Sequence, residues 1–169
     1  KIPVLFVHGL WSSPMTWMQM FNDLRSSPEI RDRYQFWFYL YPTAQPFWIT
    51  AGDLREDLAQ ARELVDQFRQ EPALDEMVLV GHSMGGLLSR LQTIESRDDF
   101  WRIISDQSFS LLEAEPEVRN QIEASFFFTP NPSIRRVVTV GTPHRGSEFS
   151  NDATQWLSGK LIDLPQMLK

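Results

Sequence analysis

The chain has no cysteine, only three histidines, and no apolar run long enough to cross a bilayer. Without cysteine there is neither a disulfide nor a thiolate metal site, although the redox compartment stays open. Without a stretch of about twenty apolar residues there is no integral membrane segment. No phosphate-cradling glycine loop, nucleotide fingerprint or metal-ligating cluster stands in the sequence, so neither cofactor nor metal is implied. Positive charge is in deficit: 16 Lys and Arg against 22 Asp and Glu leave a formal net charge of -6. That balance disfavours nucleic acid and anionic membrane surfaces as partners. Internal repeats, low-complexity tracts and a signal-peptide pattern are lacking too. Lys1 in place of an initiator methionine is what a chain cut at its front would show, and the compartment is unknown. What remains is 169 residues, 42% hydrophobic and 22% charged, about one globular domain's worth of chain.

The most informative segment is Gly81-His82-Ser83-Met84-Gly85. It follows the apolar run Met77-Val78-Leu79-Val80 and precedes Gly86-Leu87-Leu88-Ser89-Arg90-Leu91. A strand running through G-x-S-x-G into a helix is the setting of a nucleophile elbow. The turn is tight enough that side chains two residues either side of the serine would collide, which explains both glycines. It lifts Ser83 clear of the sheet edge, at a helix N-terminus that favours developing negative charge. A random chain of this length carries the pattern about once in twenty, and the bland alternative is a serine that merely caps a helix.

Two features narrow that alternative. The apolar run Pro3-Val4-Leu5-Phe6-Val7 reads as a buried strand of a parallel sheet and ends in His8-Gly9-Leu10. Gly9 either brings backbone N–H groups close to a substrate oxyanion or only turns the chain. The order of elements is the second feature. Ser13-Pro14 is an N-cap signal, and Trp17, Met20, Phe21 and Leu24 form one helical face. The run Tyr34 to Tyr41 is β-prone and closed by Pro42. Leu54, Leu58, Ala61, Val65 and Phe68 trace a second helix that Pro72 stops. Strands alternating with helices predict a parallel sheet covered on both faces.

With these pieces the chain resembles the α/β-hydrolase superfamily, lipase and esterase type. His8-Gly9-Leu10 and Gly81-His82-Ser83-Met84-Gly85-Gly86 carry the resemblance, with Gly141-Thr142-Pro143-His144-Arg145-Gly146-Ser147 after the strand Val137 to Val140. The last is similar to a loop of bacterial lipases and of GPI inositol-deacylase-like proteins. The resemblance implies a three-layer α/β-hydrolase fold with a mostly parallel sheet, here as one incomplete domain (1–169) of about four central strands. It implies Ser83 as nucleophile and the backbone N–H groups of Met84 and Leu10 as the oxyanion hole. It is compatible with an extracytoplasmic or membrane-peripheral setting. Trp11, Phe47 and Trp48 are expected to line the substrate pocket, Phe47 and Trp48 either as a wall or in a packed loop.

A serine needs a base, and the base needs an orienting acid. The family order is Ser, then Asp or Glu, then His. His8, His82 and His144 each already stand inside a motif, with His144 the best placed of the three and a plain loop role open to it. Glu148 and Asp152 are candidates for the acid or an ordinary polar helix start. The acid and the base are therefore expected beyond Lys169, in a larger enzyme. Residues 97–133 read as an insertion, either a cap or wall over the site or a helical excursion packed on the sheet. The resulting expectation is a serine carboxylic-ester hydrolase acting on an ester or lipid-like small molecule. The alternatives are a catalytically silent binding module of the same fold, or an amidase, thioesterase or acyltransferase using the same elbow.

Overall fold

The computed structural model describes residues 1–145. Contacts divide the described residues into two compact units, one of residues 1–94 and 129–142, the other of 95–128 and 143–145. The first unit holds a four-stranded sheet, β1 (Ile2–Val7), β2 (Tyr34–Tyr39), β3 (Met77–His82) and β4 (Ile134–Val140), in the order β2-β1-β3-β4. All three pairings are parallel.

Residues alternate across the strands and so sort into two faces. Val4, Phe6 and Val80 join Trp17 in one buried cluster, with Leu24, Phe36 and Phe38 packed against it. Helix α1 (Met18–Ser26) supplies Leu24 and sets Phe21 edge-on to Phe36 and Phe38, both at 5.4 Å. The short α2 (Pro28–Arg33) leads into β2. The opposite face carries Leu5 and, in register with it, Trp37. Helices α3 (Phe47–Asp66) and α4 (Met84–Leu91) bury Leu54, Leu58, Leu88 and Leu91. They are tied by Gln92, whose Nε2 donates to the carbonyls of Ala51 and Leu88, each at 3.0 Å. Apolar burial on both faces holds for β1 and β3. By contrast β4 is largely exposed, Val138 by 47% and Val140 by 40%, so the expected cover over both faces does not extend to it.

Several local expectations need correction. The first helix opens with a 3-10 turn, Pro14–Trp17, and Ser13 makes no side-chain cap. Met20 of its expected apolar face is 40% exposed. The β-prone run ends as a strand at Tyr39, not Tyr41. Phe47 and Trp48 begin α3 and are not in a loop. That helix stops at Asp66, leaving Val65 and Phe68 exposed. Pro72 is not what ends it. The Asp66 carboxylate accepts the amides of Gln70 (2.7 Å) and Glu71 (3.0 Å), and Arg69 turns to φ +50°. A local side chain outcompetes the helical pattern for those donors.

The second unit, taken by itself, contains α5 (Asp99–Arg102) and α6 (Pro116–Phe126). Its rings pack on one another: Trp101 on Phe109 at 5.2 Å, Phe109 on Phe127 at 4.9 Å, and Phe100 on Phe128 at 5.5 Å. Trp101 Nε1 donates to the Gln107 carbonyl at 2.7 Å, and the Arg119 guanidinium lies 4.5 Å from the Phe109 centroid. Gly146, Ser147, Glu148 and Asp152 lie outside the described residues.

Candidate active site

The order β2-β1-β3-β4 reverses direction between β1 and β3, since the chain moves from β1 outward to β2 and then returns to β3 on the other side. In open α/β sheets the ligand crevice lies at such a reversal, beyond the carboxyl ends of the strands. The segments leaving β1 and β3 there are His8-Gly9-Leu10 and Ser83-Met84.

Ser83 has φ 51° and ψ -122°, a region costly for any residue with a Cβ. Its amide donates to the Val140 carbonyl at 2.9 Å and its carbonyl accepts the Gly86 amide at 3.0 Å. These bonds hold the strained turn from β4 and from the helix. The Ser83 side chain makes no capping hydrogen bond, so its hydroxyl is not spent on the helix N-terminus. Met84 is the first residue of α4, where a backbone N–H has no partner within the helix.

The flanking glycines are required for different reasons. A Cβ on Gly81 would strike the Gly85 carbonyl and the backbone of Gly86, within the elbow itself. On Gly85 it would strike the carbonyls of Val7 and His8, at the end of β1. Gly85 is thus the point where the elbow helix touches the strand that delivers Gly9. Gly9 in turn lies against the serine: a Cβ there would sit 3.0 Å from the Ser83 Cβ and 3.1 Å from His82 Nδ1. Gly9 and Ser83 are thereby brought together.

Leu10, next along, is 38% exposed, and Trp11 is 88% exposed with φ 51°, an outlier for so bulky a side chain. Phe47 and Trp48 are half-buried in the first turn of α3, their rings edge to face at 5.3 Å. His82 is half-buried, with its ring edge-on to Trp17 at 6.3 Å. Gly141, at φ 57°, passes 3.8 Å over it, measured from an ideal Cβ. His8 is wholly buried. Its Nδ1 lies 3.0 Å from the Gly9 carbonyl, and its ring stacks on Tyr41 at 4.3 Å. His144 falls in the second unit. Among the described residues no histidine is hydrogen-bonded to the Ser83 hydroxyl, and no cluster of three or more His, Asp or Glu suits a metal ion.

Sequence reasoning gave no site role to two residues here. Tyr41 was read as strand, yet its hydroxyl donates to the His8 carbonyl at 2.6 Å. Burial pushes the Tyr41 phenol well above its ordinary pKa, so it stays a donor. Thr142 packs its side chain on Gly86, in the first turn of the elbow helix, where any Cβ on that glycine would collide with it. Its place directly after a strand-ending glycine was the one available signal. A cavity of about 270 Å³, lined in part by Arg62, Met77, Asn131 and Ser133, opens at the opposite ends of β3 and β4 and is no part of this site.

The sequence profile of the alpha/beta hydrolase family matches residues 4–166. The chain belongs to that family. Its four described strands are those of an α/β-hydrolase fold, with the elbow serine after β3. Among solved structures it is similar to the mature form of the lipase BlEst2 of Bacillus licheniformis, at 23% identity and a TM-score of 0.50. That match covers 95% of this chain and 50% of the lipase, so the chain spans about half that protein's length. The propeptide form of the same lipase matches at 23% identity and a TM-score of 0.49, over 90% of this chain and 25% of that one. At such identity the likeness to the mature form concerns the fold alone. No curated protein sequence matches significantly. No helix among the described residues of this hydrolase-family chain is long and apolar enough to cross a membrane.

Proposed function

We propose that the chain carries the nucleophile and oxyanion hole of a serine carboxylic-ester hydrolase of lipase or esterase type. The observation that carries this reading is Ser83 in a strained, positive-φ turn, uncapped and lying against Gly9. Strain of that kind persists only where the surrounding structure enforces it, and it clusters at functional sites. Ser83 Oγ attacks the ester carbonyl while a base takes its proton. The N–H groups of Met84 and Leu10 hold the negative oxygen of the tetrahedral intermediate. Collapse expels the alcohol and leaves an acyl-Ser83, which water hydrolyses. Because the donors are main-chain groups, Leu10 and Met84 act through position, and their side chains shape the pocket. Trp11, Phe47 and Trp48 are assigned to the apolar acyl part of the substrate, a role their aromatic surfaces suit.

No base is assigned among the described residues. His8 is wholly buried with its Nδ1 on the Gly9 carbonyl, and the His82 Nδ1 faces Gly9. That placement favours a second reading, a silent binding module of the same fold. The two separate on a fluorophosphonate probe. Labelling of the full-length protein that disappears in Ser83→Ala supports the hydrolase, and an unlabelled native protein supports the binding module. Turnover of p-nitrophenyl esters against thioesters and amides then distinguishes esterase from the related acyl-transfer activities.

A further inference from the structure

The peptide units around Gly9 are pinned in a way that the catalytic reading above does not use. Each backbone C=O shares a rigid plane with the next residue's N–H, and in a trans peptide the two point in opposite directions. Fixing the Gly9 carbonyl therefore fixes the direction of the Leu10 N–H. The Gly9 carbonyl only accepts, so the 3.0 Å contact makes His8 Nδ1–H its donor. One unit earlier, the His8 carbonyl accepts the Tyr41 hydroxyl at 2.6 Å.

The same two side chains meet a second time through their rings, stacked at 4.3 Å with an interplanar angle of 11°. His8 is wholly buried and Tyr41 nearly so. The location explains the need. Val7 pairs with Tyr39 as the last rung of the β1–β2 ladder, so His8 stands just beyond the backbone bonds that hold the strand. The Tyr41 hydroxyl substitutes for the missing rung. On the far side of Leu10, Trp11 is held at φ 51°, so the turn is constrained from both ends.

We propose that Tyr41 is a positioning residue which, through the His8 peptide and ring, sets the direction of the Leu10 N–H for a substrate oxyanion. The oxyanion part rests on the hydrolase reading; the pinning itself does not. Tyr41→Phe removes the hydroxyl and keeps the stack. It is read in two ways on the full-length protein.

The first readout is the NMR shift of the backbone amides. In Tyr41→Phe the Gly9 and Leu10 amide shifts move, while those in the middle of β3 stay in place. Unchanged Gly9 and Leu10 shifts overturn the proposal. The second is kinetic. Loss of an oxyanion donor lowers kcat by about 10² to 10³, so misdirecting one lowers it about tenfold, with KM within twofold. Affinity for a boronic acid, which mimics the tetrahedral intermediate, falls by the same factor as kcat. A purely structural tyrosine would lower the active fraction without that matched loss. Tyr39→Phe, which removes a surface hydroxyl bonded to Asp57, is the control and leaves kcat unchanged. A kcat that stays at the wild-type value in Tyr41→Phe overturns the proposal. Absence of any Ser83-dependent turnover in the wild type overturns the hydrolase reading instead, and the NMR arm still decides the clamp.

Discussion

Replacing Ser83 by glycine is expected to stabilise the protein while removing its chemistry, and alanine at the same position supplies the reference. Both variants lose the hydroxyl. Only glycine relieves the backbone, because at φ 51° and ψ -122° the Cβ is the source of the strain. Backbone strain of this kind costs about 1–3 kcal/mol. Against it stands the extra freedom of an unfolded glycine, about 0.4–1 kcal/mol. A further ~0.4 kcal/mol goes with the lost Cβ contact, half the value for a fully buried methylene because Ser83 is half-buried. The balance favours Ser83→Gly over Ser83→Ala by about 1 kcal/mol. For a domain of this size that is a rise in Tm of about 2–4 °C. Urea unfolding of the two variants side by side, with equal m values, measures it. A glycine variant no more stable than the alanine variant would refute the claim that the elbow stores strain.

Three other outcomes follow from the same structure. Gly85→Ala drives a Cβ into the Val7 and His8 carbonyls and should destabilise by about 1–3 kcal/mol or more, seen as a lower urea midpoint. Ser83→Ala should abolish fluorophosphonate labelling, whereas Met84→Ala should keep most of it because the donor is a backbone group; equal loss in both would place the site elsewhere. Below about pH 4 the protein should lose stability through Asp66. Burial opposes the Asp66 carboxylate, but the Gln70 and Glu71 amides and the Arg62 and Arg69 charges outweigh it and hold its pKa below the ordinary value. A depressed folded pKa contributes stability above the unfolded value near 3.9 and loses it as pH falls toward the folded one. Asp66→Asn should flatten that part of the acid-unfolding curve, and an unchanged curve would count against the network.

The elbow was legible because it is local. Gly81 is excluded from carrying a side chain by atoms four and five residues away, and a turn of that radius can be read from spacing alone. The sheet was legible for a related reason: apolar runs such as Val4 to Val7 and Leu79 to Val80 can be buried on both faces only under helices. The end of α3 was not, since the stripe through Val65 and Phe68 continues past the point where Asp66 captures the Gln70 and Glu71 amides. Hydrophobic periodicity carries no information about which donor a carboxylate will take.

By itself the sequence determined the parallel strand-helix alternation, the bend at Ser83 and the glycine that ends the first strand, all set by neighbours along the chain. Only the tertiary structure decided that Gly85 must be bare because β1 ends against it, that Gly9 lies beside Ser83, and that Tyr41 reaches back to the His8 carbonyl. Those contacts join residues 33 to 78 positions apart, and they form because parallel pairing of β1 with β2 and β3 brings the three strand ends level. Local propensity selects the pieces; register across the sheet selects which of their ends meet.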